Sequence, residues 1–143
     1  NDAGGDTELL QTGDGEFNQM IRLDVGYSFS FPLYGNIGAA FNNRTKDFSE
    51  EILFDVEIGY EFDKKFLVAL KLAGVESLMN GNPEGSSGAG IFSNNLEYLS
   101  FGPEIAYTFK ERWGFSASYR TAVSGQFILA APAYEIGIFQ KIK

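Results

Sequence analysis

The chain has 143 residues, 44% of them hydrophobic and 15% aromatic, carries a net charge of −8 at pH 7, and contains neither cysteine nor histidine. That length holds at most one domain. The acidic balance argues against nucleic acid as a partner, and the missing residue types remove disulfides, Ser-His and Cys-His nucleophiles and His-liganded metals.

No run of eighteen apolar residues occurs, so no helical membrane span is expected. The opening Asn-Asp-Ala-Gly-Gly-Asp has neither the basic nor the apolar region of a signal peptide, which an exported chain must have lost or carried upstream. Residues 1–16 hold five acids, Asp2, Asp6, Glu8, Asp14 and Glu16, among glycines, and read as an extracellular loop segment. Within them, Thr7–Thr12 is the candidate for an extra strand, but it is short and poorly alternating. Thr12-Gly13-Asp14-Gly15-Glu16 lacks the full ligand series of a calcium loop and reads as a glycine-rich turn.

From Phe17 onward the pattern is alternating. Residues 17–31 set Phe17, Gln19, Ile21, Leu23, Val25, Tyr27, Phe29 and Phe31 on one face against Asn18, Met20, Arg22, Asp24, Gly26, Ser28 and Ser30 on the other, as a strand with one apolar side requires. The segment from Ile52 sets Phe54, Val56, Ile58, Tyr60 and Phe62 against Asp55, Glu57 and Glu61. The segment from Leu99 sets Phe101, Ile105, Tyr107 and Phe109 against Glu104 and Lys110. Three of these strands end in small-Tyr-x-Phe, at Gly26–Phe29, Gly59–Phe62 and Ala106–Phe109. Seven antiparallel strands are expected, at about 17–31, 33–44, 51–62, 65–74, 96–110, 112–124 and 133–142, each joined to the next as a hairpin. Tight turns at Pro32, Asp63-Lys64 and Glu111 alternate with longer connections at Thr45–Glu50, Val75–Asn95 and Gly125–Pro132.

An apolar face of this kind suits a soluble calyx with a greasy interior or a membrane barrel with a greasy exterior. The aromatics favour the membrane. Tyr27, Phe29, Phe31, Tyr60, Phe62, Tyr107 and Phe109 end strands, while Phe66, Trp113 and Phe115 begin the next, so in a barrel they make one ring at the lipid interface. The expected fold is therefore all-β, an antiparallel transmembrane barrel. Short turns facing the periplasm would put the amino terminus outside. Seven strands is an odd number, so residues 17–143 are expected to be the carboxyl-terminal strands of a larger barrel whose amino-terminal strands lie upstream or in another chain, with a cut or boundary in an outer loop near Asn1.

The polar face would line the lumen. Its acids are Asp24, Asp55, Glu57, Glu61, Glu104 and Glu135, and its bases Arg22, Arg44, Lys71, Lys110, Arg120 and Lys141. Equal numbers point to a network of ion pairs ahead of a permeation lining, and a catalytic use of the carboxylates comes last. The protein is expected not to be an enzyme, and no cofactor or metal is expected. The stretch Asn80–Gly90 reads as a mobile loop tip, with Leu78-Met79 and Ile91-Phe92 available to fold over the mouth. No helix signal follows it, so it is not a phosphate loop.

Leu-Gln-Thr-Gly-Asp-Gly-Glu-Phe-Asn from Leu9, then Ile37–Phe41, Phe54–Phe62, Phe101–Ser118, the Thr121–Gly125 run and Tyr134–Lys143 resemble the carboxyl-terminal half of outer-membrane channels related to long-chain fatty-acid transporters, specifically the branch assigned to aromatic-degradation pathways. The resemblance implies a bacterial outer membrane location and passive uptake of hydrophobic or aromatic small molecules. The alternative is a non-transporting barrel subunit of a larger envelope complex. Expected partners are membrane lipid, the missing strands and other envelope proteins.

Overall fold

A computed structural model describes residues 17–82, 94–109, 112–126, 128 and 131–142. They form one antiparallel sheet of seven strands in sequence order: β1 (Asn18–Ser28), β2 (Leu33–Arg44), β3 (Glu51–Phe62), β4 (Phe66–Ser77), β5 (Glu97–Phe109), β6 (Trp113–Gln126) and β7 (Ala133–Gln140). There is no helix among the described residues. Thr7–Thr12, the candidate eighth strand, and Thr12–Glu16 lie outside them.

Four boundaries shift by two residues or more from those the alternation predicts, the simplest being β7, which ends at Gln140 instead of 142. β1 stops at Ser28, because Phe29 N–H donates to the Leu33 carbonyl at 2.9 Å and the chain reverses around Pro32. Phe29 and Phe31 thus sit in the turn instead of on the strand. β4 runs on to Ser77, since β3 begins at Glu51 and supplies a partner for each added residue, Glu51 opposite Ser77 and Leu53 opposite Val75. β6 reaches Gln126 by accommodating one extra residue: Leu99 faces Ser124 but Ser100 faces Ala122, which leaves Val123 as a bulge. The β5–β6 ladder also skips Gly102 and Pro103, the latter having no N–H to donate. There the strands approach closely, and a Cβ on Gly102 would overlap the Tyr119 carbonyl oxygen.

The sheet curls toward its charged face. Lys141, just past β7, pairs with Glu61 on β3 at 3.9 Å. Four strand spacings would separate them by roughly 19 Å in a flat sheet, farther than the two side chains reach together. The curl stops short of closure: β1 and β7 are not paired to each other, and each leaves an edge free of partners among the described residues.

Curling inverts the usual burial. Ile58 and Ile105 on the apolar face are 49% and 58% exposed, whereas the side chains of Glu57 and Glu104, on the other face of the same strands, are only 26% and 23% exposed. The core of this structure is its polar side.

Candidate functional site

The charged face is organised around two cations, each shared by two carboxylates. Arg22 on β1 donates to Asp24 on its own strand and reaches across β2 to Asp55 on β3, with Nη2 at 2.7 Å from Asp24 Oδ1 and 2.5 Å from Asp55 Oδ1. Gly38 makes the crossing possible. It lies in register between Asp24 and Asp55, and a Cβ there would overlap Arg22 Nη2 and stand 2.6 Å from Asp24 Oδ1 and 2.8 Å from Asp55 Oδ1. Lys71 on β4 sits likewise between Glu57 on β3 and Glu104 on β5, at 3.3 and 2.6 Å. Glu57 accepts a second hydrogen bond from the Tyr34 hydroxyl at 2.5 Å, and the Tyr34 ring lies where a side chain on Gly59 would be.

The remaining charges grade from buried to loose. Arg44 and Glu51 meet at 2.6 Å with side chains 8% and 13% exposed, and the Phe48 ring stacks 4.6 Å from the Arg44 guanidinium carbon. Arg120 and Glu135 are 3.6 Å apart and half exposed, as are Lys141 and Glu61. Lys110 lies outside the described residues. A cavity of about 290 Å³ opens on this face, with Arg22 of β1 and Arg120 of β6 both on its wall. Among the described residues no cluster of carboxylates is arranged to hold a metal ion.

Two groups in this network escape the sequence reading: Glu51 and Tyr34. Both share the strand parity of residues that reading turns inward, Asp55 and Arg44, so the signal was present. It reads as polar lining only once the register sets Glu51 beside Arg44 and Tyr34 beside Glu57.

The end of the sheet that carries the longer connections is tied off by amides and hydroxyls. Ser49 and Asn94 are 0% and 1% exposed. Ser49 N–H donates to Asn94 Oδ1 at 2.8 Å, Ser49 Oγ binds Asn95 Oδ1, and Gly81 N–H donates to Ser49 Oγ at 2.9 Å. Asn94 Nδ2 donates to the Asn82 carbonyl at 3.1 Å, and Asn80 exchanges two bonds with Glu50, at 2.9 and 3.0 Å. The start of the loop expected to be mobile is thus pinned as far as Asn82; residues 83–93 lie outside those described.

On the opposite face the aromatics form a band. Phe62, Phe66, Tyr107 and Phe115 fall in one register row across β3 to β6. Ring centroids lie 4.6 Å apart for Tyr60–Phe62 and for Phe66–Tyr107, 5.2 Å for Phe109–Phe115 and 4.8 Å for Tyr27–Phe29. Phe31 continues the series 5.5 Å from Phe29, and Trp113 faces Phe109 in the ladder.

A family model described as "Putative MetA-pathway of phenol degradation" matches residues 6–126. The chain belongs to that family. The matched stretch takes in β1 through β6, hence both shared-cation clusters, and membership ties the chain to the handling of aromatic compounds. No curated protein and no solved structure matches the chain.

Proposed function

We propose that the chain forms part of a bacterial outer-membrane β-barrel that admits hydrophobic or aromatic small molecules passively. The observation that carries this reading is the inverted burial: large apolar side chains stand exposed along every strand while, on the middle strands, the charged side chains are the more enclosed, an arrangement costly in water and suited to lipid. A soluble calyx needs the reverse. Family membership supplies the aromatic substrate class, and the resemblance to fatty-acid channels points the same way. Catalysis has no place in the proposal, because the carboxylates of the charged face are each committed to a cation or a phenol hydroxyl.

Uptake of a labelled phenol by cells with and without the protein tests the reading. Faster entry into cells that carry it is expected, and equal rates would overturn it. One observation favours the second reading, a barrel subunit that does not transport: the Lys141–Glu61 pair spans the concave side near the tight turns. Equal uptake together with stable co-purification of envelope proteins would support that alternative.

A further inference from the structure

The two ends of the sheet differ in charge, and the end with the tight turns is basic. Among the described residues it carries Lys64, Lys65, Arg112 and Lys141, four cations, against Glu61 and Asp63, two acids. The other end carries two cations, Arg44 and Lys46, against five acids, Asp47, Glu50, Glu51, Glu76 and Glu97. Pairing differs as well. Every described cation of the concave face has a carboxylate within 4 Å, whereas Lys64, Lys65 and Arg112 have none among the described residues and are exposed.

These three cations form one rim. The Lys65 carbonyl accepts from Thr108 N–H at 2.7 Å, which sets the β3–β4 turn beside the end of β5, and the Arg112 carbonyl accepts from Lys141 N–H at 2.6 Å. Each cation adjoins the aromatic band directly: Lys64 and Lys65 separate Phe62 from Phe66, and Arg112 precedes Trp113. Aromatic rings at the acyl–headgroup boundary with unpaired cations just beyond them match a phospholipid of negative headgroup, ring against glycerol and ammonium or guanidinium against phosphate.

We propose that Lys64, Lys65 and Arg112 form a binding rim for anionic glycerophospholipid in the leaflet that the tight turns face. This rests on the reading that the apolar face meets lipid. It adds a lipid preference that the reading does not require.

Trp113, the single tryptophan of the chain, reports on the rim from within. The full protein is placed in bilayers containing either brominated phosphatidylglycerol or brominated phosphatidylcholine, and quenching of Trp113 gives the relative affinity of the two lipids at that site. Phosphatidylglycerol is expected to be preferred, by about fivefold for each contributing cation. The triple variant K64Q/K65Q/R112Q is expected to remove the preference and R112Q alone to lower it. Salt at about 1 M, where the screening length falls to about 3 Å, is expected to weaken it in the unaltered protein, so the test survives poor folding of a variant. K46Q, at the far end, is expected to change nothing. Equal quenching by both lipids, or a preference unaffected by the triple variant, overturns the proposal and leaves the membrane reading standing. No quenching by either lipid overturns both.

Discussion

Arg44 and Glu51 are the ion pair most shielded from solvent, and their separation sets up the sharpest test at single residues. Truncating Glu51 removes a carboxylate 2.6 Å from a guanidinium only 8% exposed and is expected to cost on the order of 1.5–3 kcal/mol. Glu135→Ala removes a half-exposed partner 3.6 Å from Arg120 and is expected to cost under about 1 kcal/mol. Chemical unfolding in detergent micelles measures both, and equal losses would contradict the graded network. Glycines separate in the same way. At Gly38 an added methyl meets the flexible ends of Arg22, Asp24 and Asp55, which can give way; at Gly102 it meets backbone. Gly102→Ala is therefore expected to destabilise more than Gly38→Ala, and to do so by forcing β5 from β6.

Hairpins and loops carry stability of a different kind. In the three-residue β3–β4 connection, Asp63 and Lys64 are the central pair of the β-turn that Lys65 N–H closes on the Phe62 carbonyl, and they stand at φ of 49° and 55°, a left-handed conformation that Asn-Gly adopts with less strain. Replacing Asp63-Lys64 by Asn-Gly is expected to raise stability by up to about 1 kcal/mol; an unchanged unfolding midpoint would refute the assignment of strain. At the other end, Asn94 accepts from Ser49 and donates to the Asn82 carbonyl from a fully buried position. Asn94→Ala takes from the buried Ser49 N–H its acceptor, at about 1–3 kcal/mol. Protease cleavage between Leu78 and Asn82 is expected to quicken as the two loops part, and an unchanged rate would mean that the amide cluster does not hold them.

Membrane exposure and edge closure belong to the molecule as a whole. Arginine at Ile58 or Ile105 is expected to block assembly, costing about 2–4 kcal/mol near the bilayer midplane. A spin label at either position is expected to be reached by lipid-soluble quenchers, and one at Ser116 to be shielded. The reverse result would make the fold a calyx. On the membrane reading the β1 and β7 edges, unpaired among the described residues, would leave backbone groups in hydrocarbon at several kcal/mol each. Residues 17–142 alone are expected to lack the heat-dependent gel shift of a folded barrel, and strands supplied from outside that range are expected to restore it. A stable seven-stranded monomer in detergent would contradict this.

Alternation is a property of neighbouring residues, so the sequence alone determined that the chain is all-β, where seven strands lie to within a few residues, and which side chains share a face. Asp24, Asp55 and Glu57 were legible as one polar face for that reason, and Tyr60, Phe62 and Phe66 as one aromatic level. Partner choice depends on register and curvature, which parity does not encode. Only the tertiary structure decided that Arg22 passes over Gly38 to Asp55, that Lys71 lies between Glu57 and Glu104, and that Lys141 reaches Glu61 across the concave side. The same holds for Ser49 and Asn94: polar residues in loops read as solvated until two distant connections are brought together, where burial makes each amide seek a partner.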